Sequence, residues 1–216
     1  MSAAVAESKQ SYFLDKLHSL SGIIPIGAFL AEHFFENSYA LVSAEKYEWI
    51  SQKLESVPWR VGVEALFIWV PILFHGFYGL YIWWSGKTNV WRHQHLANWM
   101  YVLQRWTGII AFAYIFWHVY IERFATHGHN TYAQVAADLS NPWYFTFYVV
   151  GVLAASFHLG NGLWQFACKW GIALQPKAQR GFAYFGAAVG ILFAAVGLAI
   201  VVGMHMRAFP LDTYVK

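Results

Sequence analysis

Charge is scarce in this sequence: only 12% of its 216 residues are Asp, Glu, Lys or Arg, against 58% hydrophobic and 20% aromatic. A soluble domain of that make-up would lack the polar surface to cover itself. Cysteine is almost missing too, Cys168 standing alone. A single thiol excludes a disulfide framework, a cysteine-rich zinc site and an iron–sulfur cluster held by this chain alone. It also excludes covalent haem attachment, which needs C-x-x-C-H. Cys168 itself reads as a small buried residue on a helix. There is no low-complexity tract, and the pI near 8.9 reflects an uneven spread of a few cations, so nothing points to nucleic acid.

What is abundant is uncharged length. A hydrocarbon core of about 30 Å needs about 20 helical residues at about 1.5 Å each. Five segments answer that description, at about 17–35, 65–84, 106–121, 143–168 and 181–206. The first carries Glu32 near its end, and the third is short unless Arg105 and Glu122 snorkel. The expected fold is all-α: an integral membrane bundle of five transmembrane helices forming a single membrane domain over 1–216, with an amphipathic outer loop from about 36 to 58. No cleavable signal is expected, because the first sixteen residues are polar and lead straight into a helix. Lys9, Lys16, Lys87, Arg92, Arg105, Lys169, Lys177 and Arg180 fall on the N-terminal side of such a bundle, and six cations fall on the other. That bias puts the N-terminus in the cytoplasm and the C-terminus outside.

Histidines lie inside these segments. His33 and His118 come at the ends of outward-running helices, three and five residues before Glu36 and Arg123, hence within about 8 Å of the outer boundary. His75 and His158 follow Arg60 and Pro142 by fifteen and sixteen residues on inward-running helices, about 22 to 24 Å from that boundary. Two imidazoles therefore share an outer level and two an inner one. Local strings repeat with them: "SGII" at 21–24 precedes His33 as "TGII" at 107–110 precedes His118, and "FHGFYGLY" at 74–81 matches "FHLGNGLW" at 157–164. Gly79 and Gly162, four residues after His75 and His158, lie on the same helix faces and offer flat space for a planar ligand.

Two imidazoles from different helices at one depth are what a six-coordinate haem iron requires, and a bundle interior can hold it. A lone intramembrane histidine could instead hydrogen-bond a neighbouring helix or relay protons. Four, paired by depth and by motif, favour iron. Zinc or non-haem iron fits less well, since no thiolate and only Glu32 among carboxylates accompanies them. His93, His95, His127 and His129 read as solvated loop residues, and His205 as a histidine at the outer end of the last helix with no evident partner. Haem propionates need donors near a membrane surface, and on the inner side His18, Ser19, Ser21, Arg105, Thr107 and Lys169 are candidates; Arg105 and Lys169 could equally be boundary anchors. Gly186 and Gly190 form G-x-x-x-G, a close-packing face rather than a cofactor contact.

The strings "LHSLSGIIPIGAFLAEH" (17–33), "RVGVEALFIWVPILFHGFYGLYI" (60–82), "NWMYVLQRWTGIIAFAYIFWHV" (98–119) and "FYVVGVLAASFHLGNGLWQFACKWGI" (147–172), with "PKAQR" at 176–180, closely resemble the dihaem cytochrome b anchor of bacterial succinate:menaquinone oxidoreductase, the single-anchor type. The likeness spans nearly the whole chain and is weakest over 37–57, 124–141 and the last helix. It implies a flavoprotein subunit and an iron–sulfur subunit as partners, two haem b groups, with His75 and His158 on the proximal iron and His33 and His118 on the distal one, and menaquinone as acceptor in a bacterial cytoplasmic membrane. Menaquinone reduction needs protons, and Glu64, one turn after Arg60, is the first candidate to deliver them; an Arg60–Glu64 ion pair at i,i+4 is the competing role. A dihaem cytochrome b of another quinone-linked oxidoreductase (fumarate reductase, nitrate reductase or hydrogenase type), a transporter with proton-relay histidines and a haem-free anchor are the alternatives.

Overall fold

The computed structural model describes residues 3–125 and 131–207, and every regular element among them is helical. Helix α1 (Ala3–Ser21) runs through a π-helical turn (Gly22–Ile26) into α2 (Gly27–Ser38), and α3 (Ala44–Glu55) follows. Helix α4 (Arg60–Glu64) passes through a second π-turn (Ala65–Trp69) into α5 (Val70–Ser85). Then come α6 (Leu96–Val119), ending in a third π-turn (Tyr120–Ala125), α7 (Tyr132–Ser140), α8 (Pro142–Lys169) and α9 (Pro176–Met206).

Local chemistry sets these boundaries. Ser43 and Thr131 cap α3 and α7 by accepting from Lys46 N and Gln134 N, and Asn141 accepts from Trp143 N at the start of α8. Pro142 and Pro176 occupy first-turn positions, where a missing N–H costs nothing. Helix α8 stops at Gly171, whose φ of +73° permits a Schellman closure: Ile172 N donates to Ala167 O and Gly171 N to Cys168 O. Pro25 sits within the first π-turn and Pro71 just after the second, where a widened turn accommodates the absent donor and the ring.

Among the described residues, three helices are long and apolar enough to cross a membrane: Arg60–Ser85, Pro142–Lys169 and Pro176–Met206. Helices α1–α2, which are more polar, and α6, which holds Asn98, Gln104, Arg105 and His118, lie over the other two expected segments. They also run past the expected limits, α6 beginning at Leu96 and α1 at Ala3, because hydropathy marks where lipid would begin and not where hydrogen-bonded turns end. Large apolar side chains point outward, Phe77 at 62%, Trp84 at 82% and Ile191 at 70% exposure, a surface suited to lipid.

A cluster of buried residues lies at the end of the bundle termed outer, after the expected orientation, where α3 and α7 close over α8 and α9 through Tyr47, Tyr132, Leu139, Tyr148, Ile200 and Met204. His205 belongs to this cap. Its Nδ1 donates to Leu139 O at 2.8 Å and its ring rests on Phe145, a tertiary partner that its position on α9 does not reveal. His93 and His95 are exposed; His127 and His129 lie outside the described residues. Helices α8 and α9 meet backbone to backbone: a Cβ on Gly160 would stand 2.5 Å from Gly186 O, and one on Gly190 3.0 Å from Ser156 O. The G-x-x-x-G segment is this contact face.

Candidate functional site

Between α2, α5, α6 and α8 runs a cavity of about 1000 Å³ whose wall includes His33, His75, His118 and His158. The four meet in twos. The His75 and His158 rings lie 6.0 Å apart at 89°, and those of His33 and His118 5.8 Å apart at 69°. Metal–imidazole bonds of about 2 Å on either side of an iron put the ring centres about 6 Å apart. The spacing and the all-nitrogen donor set therefore fit axial ligation of a haem, and the chain's own packing already brings each pair together. Tyr148, beside His118, precedes His158 on α8 by ten residues, so the two levels are roughly 15 Å apart along that helix.

The inner pair is seated alike on both sides. His75 Nδ1 donates to His18 O at 2.9 Å, and His158 Nδ1 to Gln104 O at 3.0 Å. A proton held at Nδ1 leaves Nε2 as the free donor for a metal. Each carbonyl belongs to the residue four before a glycine, Gly22 or Gly108, and the imidazole lies against that glycine. A Cβ on Gly22 would stand 2.9 Å from His75 Nδ1, and one on Gly108 2.8 Å from His158 Cε1. The glycines of "SGII" and "TGII" thus serve the histidines of the other repeated string. Gly79 and Gly162 line the same cavity but face His18 and Gln104, with Cβ positions 3.3 and 3.5 Å from their Nε2 atoms. The reason is helical: a side chain leans toward the N-terminus, away from the residue four ahead.

The repeat is also out of step by one residue, and the backbone corrects it. Eleven residues separate Gly22 from His33, ten separate Gly108 from His118. The π-turn Gly22–Ile26 takes up the extra residue, since a π-turn holds one more residue than an α-turn.

At the outer level His118 Nδ1 lies 3.0 Å from Tyr148 Oη, and Tyr148 donates to Glu122 Oε1 at 2.5 Å. His33 has a looser neighbour in Asn37, whose Nδ2 is 3.4 Å from His33 Nδ1 and donates to His33 O at 2.8 Å. Glu64 is held by two guanidiniums: Arg60 Nε at 2.6 Å and, across the bundle, Arg123 Nη2 at 2.8 Å. The i,i+4 pair is present, and Arg123 is a second partner that helix spacing does not reveal. Glu36, just beyond the first expected span, also lines the cavity. Burial, and then Glu32 beside it, push its carboxyl up to about 7.

The inner-end candidates divide. His18 stacks on His75 at 4.1 Å and 11°, and Ser21 Oγ donates to His18 O while lying 3.3 Å from His75 Nδ1. These two adjoin the inner pair. Arg105 instead donates to Ile82 O at 2.7 Å, closing the end of α5, and lies over the Tyr101 ring. Lys169 faces Asp15 at 3.9 Å, and its carbonyl accepts from Lys16 Nζ. Ser19 accepts from Trp170 Nε1, and Thr107 Oγ1 donates back to Leu103 O. Sequence spacing did not single out Gln104 and Asn161, which join α6 to α8 beside His158: Asn161 Nδ2 donates to Gln104 Oε1, and Gln104 Nε2 to His158 O. One signal for Gln104 was its place in the repeat, matching His18.

The glycine seats make a direct prediction. Gly22→Ala and Gly108→Ala should each displace the imidazole they touch and, with this pair as the expected ligands, lower haem content. Gly181→Ala, where a Cβ meets nothing within 4 Å, should leave it unchanged. Haem content per chain, measured spectrophotometrically, reads the difference.

Residues 85–199 match the family described as succinate dehydrogenase/fumarate reductase transmembrane subunit. The chain belongs to this family. It is also 37% identical over 191 residues to the succinate dehydrogenase cytochrome b558 subunit of Bacillus subtilis (strain 168), covering 88% of this chain and 95% of that relative. The family match spans α6, α8 and most of α9, and so contains His118 and His158; the longer alignment extends the kinship over most of the chain. The chain is accordingly a transmembrane subunit of the succinate dehydrogenase/fumarate reductase family.

Proposed function

We propose that this subunit passes electrons from an iron–sulfur partner, itself fed by a flavoprotein partner, to menaquinone through two bis-histidine b haems in a bacterial cytoplasmic membrane. His75 and His158 would hold the inner iron, and His33 and His118 the outer one. Each haem, when bound, accepts and releases one electron at a time. The observation that supports this reading above others is the meeting of four cavity-lining imidazoles in two pairs, with ring centres 5.8 and 6.0 Å apart. The bundle crosses the membrane five times with its N-terminus in the cytoplasm, which puts the inner pair toward the iron–sulfur partner. His18, Ser19, Ser21, Arg105, Thr107 and Lys169 form the polar end that would meet haem propionates, while Gly79 and Gly162 leave room along the cavity wall.

At the outer end the residues around the cavity suit quinone reduction. Arg60 and Arg123 bracket Glu64, and Glu36 titrates near neutrality. Glu64 hands protons to the quinone from within this cluster. Glu64→Gln is expected to slow quinone turnover with both haems still bound; turnover at the parental rate would remove Glu64 from the proton path. The central experiment is a reduced-minus-oxidised spectrum of the purified complex. It should give a low-spin b-type band at two haems per chain, together with the copurifying flavoprotein and iron–sulfur subunits. A colourless preparation would overturn the reading.

A further inference from the structure

The two levels differ in what stands behind the histidines. Both inner imidazoles donate Nδ1–H to neutral backbone carbonyls, His18 O and Gln104 O. His118 is bonded to a phenol, and that phenol is bonded to a carboxylate. Because Tyr148 gives its only proton to Glu122, its remaining hydrogen bond with His118 must be accepted, so the proton between them belongs to His118 Nδ1 and Nε2 is left free. Tyr148 is only 7% exposed. The His118 ring is also wedged, with Tyr148 edge-on at 84° and Tyr114 stacked at 15°.

We propose that Tyr148, backed by Glu122, is a positioning residue that fixes the plane and tautomer of His118 and lowers the reduction potential of the outer haem. The inference rests on His118 being an axial ligand, as in the reading above. The physical cause is charge transmitted through two hydrogen bonds. A carboxylate at the end of the chain draws on the Nδ1 proton and makes Nε2 a more basic donor, which favours ferric over ferrous iron. Backbone carbonyls exert a weaker pull, and Asn37 beside His33 exerts none of this kind.

The test is a redox titration of the intact complex, followed at the haem absorption band and by low-spin electron paramagnetic resonance, for Tyr148→Phe and Glu122→Gln. With two haems retained, Tyr148→Phe should raise one midpoint potential, leave the other in place and alter one low-spin signal. Glu122→Gln, which keeps the phenol and its packing, should move the same potential in the same direction by less. Unmoved potentials in Tyr148→Phe, or equal movement of both, overturn the proposal. If Tyr148→Phe binds only one haem, Glu122→Gln decides, and an unmoved potential there is fatal. His118→Ala separates the two failures. Retention of both low-spin haems in that variant refutes His118 as a ligand, whereas loss of one, with unmoved potentials in the other variants, refutes the tuning alone.

Discussion

Alanine in place of His158 is expected to abolish the low-spin signal of one of the two proposed b haems and to bring succinate-driven quinone reduction close to background. His158 reaches the cavity from the middle of α8, its Nδ1 committed to Gln104 O and its ring 6.0 Å from His75. The amides beside it are no replacement: Gln104 and Asn161 are engaged with one another, and an amide is a poor substitute for imidazole on iron. His75→Ala should give the same spectrum, because either loss opens the same iron. The outer pair should keep its signal, since it lies on another level of the bundle. His205→Ala is the control, deleting an imidazole bonded to Leu139 O in the outer cap and leaving both haem signals intact. Full low-spin content in His158→Ala would remove the inner site as drawn.

The second large effect concerns the frame that carries His158. Gly160→Leu should loosen α8 from α9 and destabilise the folded subunit by about 3 kcal/mol, the upper part of the usual range for overpacked sites. At most crowded positions a neighbouring side chain can rotate away. Here the obstacle is the backbone of Gly186 and Gly190, with a Cβ only 2.5 Å from Gly186 O, so a whole helix must shift. His158 is two residues earlier on α8, and inner-haem occupancy should fall along with stability. Unfolding in detergent, followed by helicity, measures the first effect, and the haem band the second. A matching leucine at Gly181, which meets nothing within 4 Å, should change neither.

Much of this site can be read along the chain because helix geometry is regular. A fixed rise per residue turns sequence spacing into depth, so the two levels of histidines follow from their distances to Glu36, Arg123, Arg60 and Pro142. The repeated strings carry a further relation that spacing alone does not reveal. Gly79 and Gly162 share helix faces with His75 and His158, yet those rings lean away from them onto Gly22 and Gly108 of other helices. Glu64 is similar. Its pairing with Arg60 is local and legible, whereas Arg123 lies fifty-nine residues away and enters only through the bundle.

By itself the sequence determined the helical class, the apolar segments and the levels at which imidazoles occur, since each depends on composition and on a periodicity shared by every α-helix. Only the tertiary structure decided which carbonyl orients each inner ring, that Tyr148 and Glu122 stand behind His118, and that a π-turn brings His33 into register. Those facts depend on how helices distant in sequence are rotated and packed against one another, and no spacing within a single helix encodes that rotation.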